Sequence, residues 1–134
     1  MVNIVICTHS NFAEGIKNAV EMIAGEQENL TAVNFMGDVQ LTELGDTLKA
    51  AAEIEPNNTI FLVDLENATP FNAACIALHE TDNLIITGVS LPMLLELVIA
   101  RQTNSMSVKE LSDMVIQSSE NYIGVKSHQD IFGQ

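Results

Sequence analysis

Short apolar runs alternate along the chain with segments whose apolar positions recur every three or four residues. Residues 2–7 are apolar apart from Asn3, the mark of a strand covered on both faces. A helix follows from about residue 11, with Phe12, Ile16, Ala19, Val20 and Ile23 on one side and Gly25 as its stop. Residues 30–35 read as a second strand, weaker than the first. Leu41, Leu44, Leu48 and Ala52 mark a second helix, which Pro56-Asn57-Asn58 breaks. Residues 59–63 form a third strand that ends at Asp64. A third helix then begins at Pro70 behind Thr69 as its cap, with Phe71, Ala74, Cys75 and Leu78 as its apolar stripe. Residues 83–89 are a fourth strand, 92–101 a fourth helix and 108–120 a fifth. The short segment 122–125 is a candidate last strand.

The alternation of strand and helix predicts an α/β fold, a doubly wound and mostly parallel sheet of order 2-1-3-4 with helices on both faces. No internal repeat, low-complexity tract or Pro/Gly/Ser linker interrupts it, so residues 1–134 read as a single domain. The fourth helix stands apart. Met93, Leu94, Leu95, Leu97, Val98 and Ile99 wrap nearly its whole circumference, as for a helix buried on all sides or set in a subunit interface.

Charge and composition narrow the classes of partner. The chain has 18 acidic and 5 basic residues, a formal net charge of −13. Such a surface repels phosphate backbones and anionic lipid, which excludes nucleic acid as an expected partner and favours basic protein patches. The start of the chain lacks a basic region followed by a long apolar one, so no secretory signal is read and a cytoplasmic location is expected. Cys7 and Cys75 both lie in apolar segments and are expected as reduced core thiols. Two cysteines and three scattered histidines give no zinc spacing, and neither a metal nor a cofactor is expected.

Chemistry gathers at the carboxyl ends of the strands. In a doubly wound sheet the working crevice lies where strand order reverses, between the first and third strands. His9 follows the first and Asp64 ends the third, so the order 2-1-3-4 makes them neighbours. A carboxylate beside an imidazole fixes the tautomer, stabilises positive charge on the ring, and leaves the second ring nitrogen as a nucleophile. Helix starts after His9 and after Glu66-Asn67-Ala68-Thr69 offer backbone N–H groups to an anion. Together these favour phosphoryl transfer through a phosphohistidine, a reaction governed mainly by positioning and charge. The competing view is structural: histidine and aspartate at strand ends are common loop residues. His79 beside Glu80 and His128 in a polar tail read as structural or exposed.

Three segments carry a resemblance. Ile4-Val5-Ile6-Cys7-Thr8-His9-Ser10, Phe61-Leu62-Val63-Asp64 with Thr69-Pro70-Phe71-Asn72-Ala73-Ala74, and Gly88-Val89-Ser90-Leu91-Pro92-Met93-Leu94-Leu95-Glu96 resemble the enzyme IIA domain of the mannose family of the sugar phosphotransferase system. The resemblance implies a phosphoryl carrier that is loaded on His9 by the phosphocarrier protein HPr. It implies that the group passes to a IIB component, and so indirectly to a IIC/IID membrane permease, during sugar uptake. Asp64 matches the aspartate that bonds the ring, and Thr69 and Ser10 become candidate phosphoryl ligands. Thr69 stands where the family usually has serine in a Gly-Gly-Ser-Pro turn, and Asn67-Ala68 replaces both glycines. The resemblance also implies a homodimer in which the last short strand adds to the partner's sheet. The chain ends at Gln134 without a linker, which favours a IIB partner on a separate chain. The phosphoryl-carrying subunit of a dihydroxyacetone kinase is the nearest alternative. A receiver domain needs an acidic pair where Thr8 and His9 stand. A flavodoxin-type carrier needs aromatic rings that a chain with no Trp and one Tyr scarcely has. A pure interaction module remains, and it predicts no phosphoryl uptake.

Overall fold

The computed structural model describes residues 1–103 and 105–133. Its centre is a four-stranded parallel sheet built from β1 (Asn3–His9), β2 (Leu30–Phe35), β3 (Thr59–Val63) and β4 (Leu84–Thr87), in the order β2-β1-β3-β4. Among the described residues six α-helices surround it: α1 (Phe12–Ala24), α2 (Leu41–Ala52), α3 (Thr69–Leu78), α4 (Leu91–Thr103), α5 (Val108–Ser118) and α6 (His128–Phe132). The expected fold class and strand order are those observed.

Alternation within the central strands assigns the two cores. Ile4 and Ile6 of β1 and Ile60 and Leu62 of β3 face Ala13, Ile16 and Val20 of α1 and the apolar sides of α4 and α5. Val5, Cys7, Phe61 and Val63 face α2 and α3 on the opposite side. All four β3 residues named are fully shielded from water, and each such side chain contributes about 1.5–3 kcal/mol of burial free energy. Burial on both faces is why these strands read as unbroken apolar runs. Asn3, the exception in β1, donates to Ala51 O at 3.0 Å and Thr59 Oγ1 at 3.1 Å, so its polarity is used at the amino end of the sheet.

Arg101 near the end of α4 is 5 % exposed. It donates to Val2 O and Asn29 O, both at 2.8 Å, and to Glu28 O and Gln27 Oε1. It therefore ties α4 to the start of β1 and to the loop before β2. Burial lowers its pKa to about 10.

Several expectations change. The cap of α3 is Ala68, and Thr69 is the first helical residue. The buried stripe of α3 is Pro70, Ala73, Ala74 and Ala77, so Cys75 points to solvent and is not a core thiol; Cys7 is buried. Helix α3 lies close to α2 where Ile76 faces Gly45: a methyl group on Gly45 would meet Ile76 Cγ2 at 2.9 Å. Helix α4 is not buried all round in the single chain. Met93, Leu94, Leu97 and Val98 are inside, whereas Ile99 is 51 % exposed beside a groove shared with Leu95 and Tyr122. Residues 122–125 form no strand with this sheet. A 3-10 turn (Ser119–Asn121) continues α5, and Ile123 and Val125 beyond it are 86 % and 88 % exposed. The polar tail contains α6, started by a capping box in which Ser127 and Asp130 exchange side-chain and backbone bonds.

Candidate functional site

His9 is the last residue of β1 and Asp64 follows the last residue of β3. Because β1 and β3 are adjacent and parallel, with Cys7 opposite Val63, both side chains emerge at the carboxyl edge of the sheet. His9 Nδ1 lies 2.8 Å from Asp64 Oδ2, and the same oxygen accepts the His9 backbone N–H at 3.1 Å. The other carboxylate oxygen accepts from Leu65 N at 3.0 Å. The carboxylate is thus fixed from both ends. An ionised carboxylate can only accept, so Nδ1 carries the ring proton and Nε2 keeps its lone pair. Among the described residues Nε2 has no hydrogen-bond partner. The His9 side chain is 43 % exposed, against 18 % for Asp64. The imidazole therefore offers an unprotonated nitrogen to solvent from a ring oriented by a shielded acid.

Electrostatics agree with that geometry. Burial pushes the Asp64 carboxyl up, but the ring and backbone hydrogen bonds from His9, the attraction of the imidazole and a backbone N–H at its own position outweigh it. The net shift is downward from the ordinary carboxylate value. Beneath the site, burial and then the charge of Asp64 push the Cys7 thiol up to about 12, so this sulfur stays protonated and inert.

The loop that follows His9 is held from β2. Ser10 sits in the left-handed backbone region at φ 56, and its N–H donates to Phe35 O at 2.7 Å. Asn11, which precedes α1, makes no side-chain cap. Asn34 of β2 does that task from outside the helix: its Oδ1 accepts from Glu14 N and its Nδ2 donates to Glu14 Oε1, both at 3.2 Å. The Phe35 ring stands edge-on to His9, with centroids 6.0 Å apart and an interplanar angle of 73°. His9, Ser10, Phe35, Met36 and Gly37 line a hollow of about 250 Å³. Reading the sequence missed Asn34 and Phe35. Their only signal was their place at the end of β2, in register with Thr8 and His9.

The remaining candidates are less directly joined. Ser10 Oγ turns toward Asn11 Oδ1 at 3.4 Å, and no hydrogen bond links it to His9. Thr69 opens α3 and bonds to neither His9 nor Asp64. The turn before it resolves the substitution of the two glycines. Asn67 adopts φ 62, a left-handed corner that Asn tolerates, and Ala68 is extended at φ −113, which needs no glycine. With no capping side chain and with Pro70 in its first turn, α3 leaves the N–H groups of Thr69 and Phe71 without helical partners. His79 is exposed, 3.6 Å from Glu80. His128 packs against the Phe132 ring of α6 at 4.8 Å, away from the sheet.

Comparison with known proteins gives the same direction. The family model described as "PTS system fructose IIA component" (EIIA-man) matches residues 3–116. The chain is 34% identical over 125 residues to the sorbose-specific EIIA component of Lacticaseibacillus casei, covering 90% of this chain and 88% of that protein. It is 32% identical over 114 residues to the fructose-specific EIIA component of Bacillus subtilis (strain 168), covering 83% and 77%. The crystal structure of phosphotransferase system component EIIA from Streptococcus agalactiae superposes with a TM-score of 0.83 at 31% identity, over 93% of this chain and 97% of that one. The chain belongs to the mannose-type IIA family of the sugar phosphotransferase system, whose members are phosphotransferase components of sugar transport.

Proposed function

We propose that His9 carries the phosphoryl group in this IIA component, accepting it from phospho-HPr and passing it to a IIB component. The observation that carries the reading is the 2.8 Å contact of Nδ1 with Asp64 Oδ2, which leaves Nε2 as an exposed nucleophile. In the transfer the Nε2 lone pair forms a bond to phosphorus as the bond from phosphorus to the donor breaks. The ring becomes cationic as that bond forms, and the Asp64 carboxylate stabilises the charge. Transfer to IIB runs the same displacement from the other side. The partnerless N–H groups at the start of α3, with the Thr69 hydroxyl, are the proposed anion cradle, and Ser10 is a further candidate ligand at the rim.

The whole chain 1–134 acts as one carrier domain in this reading, in the cytoplasm, where phosphorylated carriers are available to it. No described helix is long and apolar enough to cross a membrane; in this reading the sugar is carried by a IIC/IID permease that the IIB component serves. A homodimer is part of the proposal. The exposed Ile123 and Val125 and the unpaired outer edge of β4 supply apolar and hydrogen-bonding surfaces that a second copy can cover.

The test is reconstitution. Enzyme I, HPr and labelled phosphoenolpyruvate should place one phosphoryl group per subunit, in an acid-labile and alkali-stable linkage. His9→Ala should remove all labelling, and full labelling of that variant refutes the assignment.

A further inference from the structure

The imidazole of His9 has a neighbour on each side, one from each strand flanking β1. Asp64 reaches it from the β3 side through one oxygen. Phe35 reaches it from the β2 side, ring edge against ring. Phe35 is half-buried and packs with Val33 against the cluster that holds Val5 and Cys7, so its ring is rooted in the core. Its carbonyl also grips Ser10 N, the residue next to the nucleophile. A single hydrogen bond does not fix an exposed ring. The imidazole of a side chain 43 % exposed can pivot about its Cα–Cβ bond. Pivoting away from Asp64 carries the ring toward β2, where Phe35 stands.

We propose that Phe35 is a positioning residue: its ring confines the His9 imidazole to the orientation in which Nδ1 meets Asp64 and Nε2 faces outward. The consequence is chemical as well as steric. On the carboxylate, Nδ1 must hold the proton. Off it, nothing keeps the proton there, and the Nε2–H tautomer has no lone pair at the outward nitrogen. Loss of the Phe35 ring therefore shifts the tautomer balance, and transfer slows in proportion to the Nδ1–H population lost. The inference rests on the phosphoryl-carrier reading for its importance to rate, but ring orientation is measured without any phosphoryl donor.

The experiment uses the full chain with ¹⁵N-labelled histidine. Two-bond ¹⁵N–¹H spectra, recorded at alkaline pH where the ring is neutral, give the Nε2–H to Nδ1–H ratio of His9. Phe35→Leu should raise that ratio about 3–10-fold, the range expected for loss of an edge-to-face ring pair. Phe35→Tyr, which keeps the ring, should stay within about twofold of wild type. If Phe35→Leu does not fold, Phe35→Met supplies the ring-free side chain. An unchanged ratio in the ring-free variant overturns the proposal whatever happens to the rate, because a slower rate alone then reflects partner docking. An equal rise in Phe35→Tyr overturns it too. Absence of labelling on wild-type His9 would instead sink the carrier reading and leave the ratio to decide Phe35.

Discussion

Asp64→Asn separates the charge of the carboxylate from its shape. In the wild-type site Oδ2 accepts two N–H groups of His9, at 3.1 and 2.8 Å, and Oδ1 accepts Leu65 N at 3.0 Å. An amide has one accepting end. With its oxygen toward His9, its NH₂ opposes Leu65 N–H. Turned over, its NH₂ opposes the His9 backbone N–H and obliges Nδ1 to accept, which moves the ring proton to Nε2. Either arrangement sets donor against donor and removes the charge that stabilises a phosphorylated ring. Loss of a tautomer-fixing carboxylate costs ~10²–10⁴ in rate, or about 3–5.5 kcal/mol of transition-state stabilisation. Rapid-quench measurement of single-turnover transfer from phospho-HPr reads this directly, with His9→Ala as the blank. A rate within about threefold of wild type would remove Asp64 from the chemistry. A stability arm checks the electrostatics. The Asp64 carboxyl titrates below its unfolded value, so the folded chain binds fewer protons there. Its contribution is complete above an unfolded pKa of about 3.9 and is lost as pH falls through the lower folded value. The stability difference between wild type and Asp64→Asn should therefore narrow as pH falls below about 4.

Two further outcomes follow from the structure. Arg101→Ala should destabilise the fold by about 3 kcal/mol in denaturant titration, because it leaves the buried Val2 carbonyl without its guanidinium donor and removes the bonds to the part-buried carbonyls of Glu28 and Asn29; a loss under about 1 kcal/mol contradicts the clamp. A thiol reagent should modify Cys75 alone in the native protein and both cysteines in denaturant, since Cys7 is buried with its pKa at about 12; rapid native modification of Cys7 contradicts that placement.

Much of this architecture was legible because the central strands are covered on both faces. Unbroken apolar runs at β1 and β3 marked the middle of the sheet, and the strand order then brought His9 and Asp64 together. Legibility failed where a residue's role depends on which way one helix turns. The apolar positions of α3 suggest a stripe through Cys75, whereas Ala73, Ala74 and Ala77 face the core that holds Val5, Cys7, Phe61 and Val63; in a helix this rich in apolar residues, periodicity does not choose between neighbouring faces. It failed again at 122–125. Apolar residues show that a segment can pair, not that it does: beyond the 3-10 turn, Tyr122 and Ile123 line a hollow with Ile86 and Thr87 of β4 without adding a strand to it. The α6 capping box in Ser127-His128-Gln129-Asp130 was visible as a pattern but had no apolar run behind it. Phe35 could be placed at a strand end, yet nothing in the sequence shows a ring turned edge-on to His9.

The inward-facing guanidinium of Arg101 has a consequence for how other molecules approach. The chain has 5 basic residues, and this one is turned away from water, with Lys109 further neutralised by Asp113 at 2.9 Å. At close range few free cations are left to offset the 18 acidic side chains, so an approaching partner meets a nearly unbroken anionic surface. Encounters with cationic faces should be accelerated at low ionic strength and slowed steeply by added salt, while the interior network around Arg101, shielded from ions, stays unaffected.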